Sequence, residues 1–546
     1  MKKLLLLLSF QFILLSASAQ APPFAWAKSI GNSSSDEYIS GMKIDNNGFI
    51  YITGFFSGTL DFDPSATTHS LTSAGLNDIF VAKYNGSGAY QWAVRIGDTG
   101  YDEGDDLVID DSSNVYVCGY YNGNPDFDPG PNTKYLGANP LDNAYYLKLS
   151  SNGLFLRAAS YTSTNFESAH AIAVDAAHNV YVSGICNALT IGSSSLGTHG
   201  GIDIFIAKTN VAGVLQWAKD IGGSGDDNVS NMDIDIVGNL FLSGSFSGTD
   251  FDVNPTAATY TFSSGGTNTN SFMLSMTSAG AFNWGNNWGQ SISEDAGEDI
   301  VADVNGESYQ AANFSISIES IARRDNAGNG YWGVASTGAT GISMQSLDCD
   351  ASHNVYMGGY LAGSMTWNGP SLGSSGSTDI YVAKWNNQST QQWQFVLGGV
   401  GADAAYKVVA GPNNTVFVAG VFSGNVDFNP STSASNYLTS VGGTDMFIMR
   451  LGSTITGMEE NNLVANSFYA YPNPASDELQ VSFSKTGMQE GVIRLFSMDG
   501  KCVLTENILL NNEQTQSLHI SSLASGIYIL DVQQAGGHQQ QKVVKF

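Results

Sequence analysis

The sequence predicts an all-β protein, a seven-bladed β-propeller followed by a small immunoglobulin-like β-sandwich. Three observations carry this reading. One module recurs seven times between Trp26 and Leu451: a W-A-x-x-I-G opening, an apolar run ending in aspartate, an N-V-Y-V-S-G-like run and a D-I-F-V-A-K-like run. Its openings fall at Trp26, Trp92, Arg157, Trp217, Trp284, Trp332 and Trp393, at intervals of 66, 65, 60, 67, 48 and 61 residues. Each interval holds four short strands. Composition agrees, since Gly 62, Tyr 24 and Phe 28 beside only 13% charged residues suit tight turns and aromatic-rich strands rather than amphipathic helices. Beyond residue 466, alternating apolar runs separated by Gly and Asn turns continue the β pattern in a second, smaller body.

Residues 1–19 read as a cleaved secretory signal: Lys2 and Lys3, an apolar stretch from Leu4 to Leu15, then Ala17-Ser18-Ala19. The apolar core is short for a span of roughly 20 residues, and no later run reads as transmembrane. Cys118 and Cys186 sit within strand runs, Cys349 abuts Asp350, and Cys502 lies in the second domain. No C-x-x-C pair occurs, so free thiols are expected.

The run Asp78 to Tyr84 leads through Asn85-Gly86-Ser87-Gly88 into the Trp92 strand, a hairpin that makes each tryptophan strand the last of the preceding blade. On this phasing the blades cover about 38–97, 103–162, 168–222, 228–289, 296–336 and 343–398. The seventh, about 403–451, has three strands of its own, and the Trp26 strand is left without a blade. Pairing it with the strand near Phe447 would clasp the ring and cover an open sheet edge.

Several segments resemble the SBBP-type bacterial seven-bladed propeller repeat family: Trp217-Ala218-Lys219-Asp220-Ile221-Gly222-Gly223, Asn179 to Gly184, and Asp203 to Lys208. The resemblance spans about 24–453 and implies no single activity. The stretch from Tyr471 to Leu479 (Y-P-N-P-A-S-D-E-L), then Arg494 to Lys501, then Leu523 to Leu530, is similar to the type A C-terminal sorting domain of type IX secretion. That similarity covers about 467–546 and implies a partner, the type IX secretion machinery, with delivery to the extracellular space or outer cell surface. The resulting organisation is signal 1–19, propeller 20–453, linker 454–466 and sorting domain 467–546.

The formal charge of −28 repels phosphate backbones and excludes nucleic acid as a partner, while leaving divalent cations and basic partners open. The D-F-D-P series is the main candidate for metal binding: Asp61 and Asp63, Asp126 and Asp128, the variant Asp250 and Asp252, and Asp427 with Asn429. These loops should share one face with Asp36, Asp102, Asp226, Asp227, Asp295 and Asp403. Two readings are open. Paired carboxylates in a loop can ligate calcium, and Asp before Pro is ordinary turn chemistry. No cofactor is otherwise indicated.

Catalytic signatures are missing from the sequence. No H-E-x-x-H occurs, and no carboxylate pair stands apart from its repeat equivalents in the way glycoside hydrolysis requires. His178 and His353 share a hairpin position with Gly48, Ser113, Gly238, Gly306 and Asn414, which assigns them to a turn. Lys83, Lys148, Lys208, Arg323, Lys384 and Arg450 share one register of the third strand and are expected to bridge to acids, with the tryptophans packing between blades. The function expected is an extracellular binding or adhesion module for a glycan or protein ligand; a glycan-active hydrolase or lyase and a purely structural surface protein are the alternatives.

Overall fold

The computed structural model describes residues 21–32, 37–137, 139–163, 165–187, 189–191, 194–197, 199–265, 268–289, 294–314, 318–337, 341–367, 371–431 and 433–452, and in the C-terminal part 468–471, 475, 477–483, 489–497, 501–510, 515–534 and 537–545. The expected signal, the linker 454–466 and Asp36 lie outside the described residues. The chain divides into two compact units, Met1–Thr454 and Ile455–Phe546.

Among the described residues of the first unit there are seven four-stranded antiparallel sheets, with short two-stranded ribbons beside them. Blade 1 runs Glu37–Ile44, Ile50–Phe56, Asp78–Tyr84 and Tyr90–Ile96 from the inside outward. The innermost strands of blades 2 to 7 are Asp102–Ile109, Glu167–Val174, Asp227–Ile234, Asp295–Ala302, Ile342–Cys349 and Ala404–Gly411. Each touches the next, and the seventh touches the first, which closes the ring. The seventh sheet has Ala404–Gly411, Thr415–Phe422 and Asp445–Leu451, with Phe24–Ile30 on its outer edge. Trp26 lies opposite Arg450 and Ser29 opposite Phe447, as the phasing requires.

The middle strands read as continuous apolar runs because both their faces are covered by neighbouring blades. All seven residues of Asp78–Tyr84 are buried, as are those of Asp379–Trp385. The core is correspondingly split into clusters that straddle blade junctions, such as Ile50, Phe80 and Phe62 with Phe417 and Met446 across the 7–1 junction.

Two repeated devices form the loops. At the start of first and third strands a buried carboxylate accepts the amide of the residue four positions earlier: Ala74 to Asp78 at 2.9 Å, Asp98 to Asp102 at 2.8 Å, Gly223 to Asp227 at 2.8 Å and Gly399 to Asp403 at 2.8 Å. The closing glycine of W-A-x-x-I-G packs on this group. A Cβ on Gly222 would stand 1.9 Å from Asp203 Oδ1, so any larger residue would have to displace that carboxylate. At the opposite end, the hairpin after the first strand turns on an aspartate in blades 1 to 6 and on Gly411 in blade 7. Asp110 Oδ1 accepts the amides of Ser112 at 3.0 Å and Asn114 at 2.8 Å. The residue three beyond is left-handed in every blade, including His178 at φ 59° and His353 at φ 60°.

The second unit has two sheets. Phe468–Tyr471, Glu478–Phe483 and Thr515–His519 form one; Cys502–Leu510, Gln489–Ser497, Gly526–Gln534 and Gly537–Lys545 form the other. Leu479, Val481 and Leu518 of the first share a core with Ile493, Leu495 and Leu530 of the second. All four cysteines are free thiols, with Cys118 and Cys186 buried.

Candidate functional site

Most charged and aromatic positions that recur through the repeat are occupied by scaffold contacts. On most fourth strands the tryptophan indole reaches the next blade: Trp92 Nε1 donates to the Ser151 carbonyl at 3.1 Å, Trp217 to Ser278 at 3.3 Å and Trp332 to Asn387 at 3.0 Å. The basic residue of the third strand lies opposite that tryptophan and shares the same acceptor. Lys83 Nζ donates to Ser151 O at 3.0 Å and Lys208 Nζ to Ser278 O at 3.0 Å. Lys148 and Lys384 also pair within their blades with Asp110 at 3.5 Å and Asp350 at 3.3 Å. These cations thus bridge to acids and neighbouring backbone, as their register suggested.

The D-F-D-P aspartates shape turns. Asp61 Oδ1 accepts the amides of Asp63 at 3.1 Å and His69 at 2.8 Å, and Asp126 Oδ1 those of Asp128 at 3.0 Å and Lys134 at 2.7 Å. Asp252 Oδ1 accepts Asn254 at 3.0 Å and Tyr260 at 2.9 Å. Asp63 and Asp128 cap Ser65 and Gly130, both amides two residues on, at 2.9 and 2.8 Å. Asp250 Oδ1 instead holds the Ser224 amide of the preceding inter-blade loop at 3.0 Å, which puts both loop sets on one face. Each of the six therefore gives an oxygen to a backbone amide. Among the described residues, ligand atoms of three or more acidic or histidine side chains converge elsewhere, at Asp110, Asp111 and His178 and at Asp303, Glu307 and His353. Both groups lie at the first hairpins on the other face, and their members already pair with Lys148 and Arg323.

A different position breaks the repeat. In every innermost strand the ladder to the second strand skips one residue, leaving a bulge that turns a side chain toward the axis of the ring. The skipped residues are Ser40, Asp105, His170, Ser230, Glu298, Gln345 and Tyr406 in blades 1 to 7. All seven line one cavity of about 260 Å³, together with Tyr38, Asn228 and Lys407 among others. Further along the inner strands the channel narrows to a throat of about 50 Å³ that contains Lys43, Asp106, Asp233 and Asp299. The cavity is a cup whose mouth lies toward the face of the D-F-D-P loops, where the inner strands begin.

The throat acids have a structural task. Innermost strands are sheet edges whose outward amides would face the channel unpaired. Asp106 accepts the Ile172 amide of the next blade at 3.2 Å, Asp233 that of Ala302 at 2.8 Å, Asp299 that of Leu347 at 2.6 Å and the throat's neighbour Asp348 that of Ala410 at 2.7 Å. Burial works against the charge of Lys43, yet Asp348, Asp233, Asp106 and Asp299 hold its pKa above the usual lysine range.

The cup is electrostatically different. Burial pushes Glu298 up to about 7, with Asn313 opposing and Asp299 adding to the rise, and pushes Asp105 well above the carboxylate range. Burial lowers His170, which keeps it neutral at pH 7. Its Nδ1 stands 3.1 Å from both Asn228 Oδ1 and the Val229 carbonyl, two acceptors, so the ring proton sits on Nδ1. Nε2 is therefore an acceptor. The rings of Tyr38 and Tyr406 lie 4.4 Å apart on the wall between blades 1 and 7.

None of His170, Glu298 or Tyr406 was legible as a site in the sequence, where His170 showed no partner motif. The available signal was a column of the repeat that is polar in every blade and holds six residue types.

Comparison with known proteins bears on the scaffold and on export. Residues 91–125 match the family model of a β-propeller repeat, SBBP, a stretch running from the fourth strand of blade 1 into the second strand of blade 2. Residues 469–545 match the secretion system C-terminal sorting domain. An uncharacterised WD repeat-containing protein of Acanthamoeba polyphaga mimivirus is 22% identical over 240 residues, 37% of this chain and only 17% of that protein. Among solved structures, a mitotic checkpoint complex chain aligns over 83% of this chain and 99% of its own at 8% identity and TM-score 0.40. An ulvan lyase, a polysaccharide lyase, aligns over 78% and 96% at 12% identity and TM-score 0.38. Among the described residues no helix is long and apolar enough to cross a membrane. The sorting domain directs export by type IX secretion to the extracellular or cell-surface space. The chain thus carries a β-propeller repeat of the SBBP type at residues 91–125 and a secretion-system C-terminal sorting domain at residues 469–545.

Proposed function

We propose that the propeller is an extracellular binding module whose ligand enters the cup at the mouth of the central channel. One observation carries this: the seven bulge side chains converge on a single cavity and comprise six residue types, whereas the basic residues of the third strands and the tryptophans of the fourth recur and are used by the scaffold. Repetition maintains a ring; a set of unlike polar groups in a concavity fits a specific ligand. The cavity volume is near the lower end of the range for small-ligand sites, roughly 300 Å³, so the cup takes a single ring or side chain rather than a length of polymer.

A second reading is glycan cleavage, favoured by the raised carboxyls of Asp105 and Glu298 facing one cavity, as a general acid requires. The purified full-length chain applied to carbohydrate and protein arrays, beside a screen for polysaccharide breakdown, separates the two. The expected outcome is retention of a ligand without cleavage, weakened at least about tenfold by Tyr406→Ala and by His170→Ala, the loss of one good buried contact. Retention that neither substitution alters would refute the site, and product release abolished by Glu298→Gln would replace binding with catalysis.

A further inference from the structure

The composition of the cup narrows its ligand. Cup and throat together contain the carboxylates Asp105, Asp106, Asp233, Glu298 and Asp299. Asp106, Asp233 and Asp299 hold backbone amides of the next blade. Two remain, Asp105 and Glu298, both at bulges and both in the cup. Their hydrogen bonds are to neutral groups: the Ser168 hydroxyl reaches Asp105 Oδ2 at 3.4 Å, and the Asn313 amide donates to Glu298 Oε1. Lys407, the cation of the cup, acts most on Asp299, where it is the leading charge opposing the effect of burial, and only weakly on Asp105.

One further group in the cup is suited to a donor. His170 Nε2 offers a lone pair, since Nδ1 carries the proton. The Tyr406 ring, packed on Tyr38, adds an aromatic surface to the wall of the cup. Burial makes both carboxyls reluctant to ionise, and a neutral ligand would leave them so, whereas an ammonium or guanidinium group supplies a countercharge that favours their ionised form together with three or more N–H donors. The cup is also too small for a globular surface yet wide enough for one extended side chain. The protein's charge of −28 draws basic partners toward it over a longer range.

We infer that the cup receives the ammonium or guanidinium end of a basic side chain presented by a partner protein, held between Asp105 and Glu298 with His170 as a further acceptor. This rests on the cup being the binding site, and the test separates the two claims.

Full-length protein would be titrated by calorimetry with a short peptide bearing one central lysine, with the same peptide Nε-acetylated, and with a neutral glucose oligosaccharide. The expected result is binding of the free-amine peptide, weakened at least about tenfold by acetylation and by Asp105→Asn or Glu298→Gln, each a charge-assisted contact. Circular dichroism and melting would confirm that both variants fold. Glu294→Gln, which removes an exposed acid outside the cup, should leave binding unchanged. If the acetylated peptide binds equally, or if only the oligosaccharide binds and the two variants weaken it, the cationic ligand class is wrong while the site stands. If the lysine peptide binds but none of the cup substitutions alters it, attraction to the general surface charge explains the binding and both claims fall.

Discussion

At the scale of the residue, the most informative comparison is between tryptophans in equivalent positions. Trp92, Trp217, Trp284 and Trp332 each donate an indole N–H to a hairpin carbonyl of the following blade, and Trp26 does so across the ring closure to Gly86 at 3.2 Å. Arg157, where the repeat departs from tryptophan, reaches the Ala212 carbonyl in the same way. Trp393 has no such acceptor among the described residues. Its following blade is the seventh, whose third and fourth strands come from opposite ends of the chain and so have no connecting hairpin. It packs instead on Phe395, with rings stacked 5.8 Å apart. Replacing Trp92 by Phe should therefore cost about 1 kcal/mol for the lost buried hydrogen bond in addition to the packing loss, and Trp393→Phe only the packing loss. Urea unfolding of the two variants measures the difference; equal losses would mean that the indole N–H contributes nothing across the junction.

At the scale of the element, the strand Phe24–Ile30 shows how far sequence reading reached and where it stopped. Counting hairpins left that segment without a blade and the seventh blade without a fourth strand, so the pairing with Asp445–Leu451 could be deduced before any coordinates. The turn positions were legible for a similar reason: Gly48, Ser113 and His178 occupy one column, and a left-handed backbone accounts for its composition. The bulges were not legible. A residue skipped by the ladder has no composition of its own, and whether Glu298 faces the core or the channel depends on a one-residue shift of register that neighbouring residues do not announce. The site therefore stayed hidden although the fold did not. Deleting residues 20–31 should expose the Asp445–Leu451 edge and remove buried Ala27 and Ile30 from two junction cores. The expected loss is about 3 kcal/mol or more, given the burial of one large aliphatic side chain and its neighbours, accompanied by self-association through the open edge. Chemical denaturation and size-exclusion chromatography of the deletion variant check both parts, and a monomeric variant of unchanged stability would show that the closing strand is dispensable.

At the scale of the whole molecule, the charge of −28 is a property of an exported surface, but part of it is built into the blade junctions. Burial pushes Asp102 up to about 7, with Asp98 and Asp78 adding to the rise, and Asp227 up to about 8, with Asp203 and Asp226 adding. An acid whose pKa is higher in the folded chain than in the unfolded one binds its proton more tightly when folded. Its contribution is complete below about 4 and is lost as pH rises toward 7 or 8. The hairpin acids act in the opposite sense. Asp110, Asp175 and Asp350, despite burial, are held below the usual range by side-chain and backbone hydrogen bonds, and they withdraw stability only as pH falls below about 4. The two groups together place the stability maximum on the acidic side of neutrality, so the thermal midpoint should rise as pH falls from 8 to 5 and drop again below 4. General charge repulsion also relaxes over the upper interval, so the junction acids are isolated by substitution. Asp102→Asn with Asp227→Asn should flatten the limb between pH 5 and 8 while leaving the acid limb in place. An upper limb as steep in the double variant as in the parent would show that these two buried carboxyls do not carry the effect.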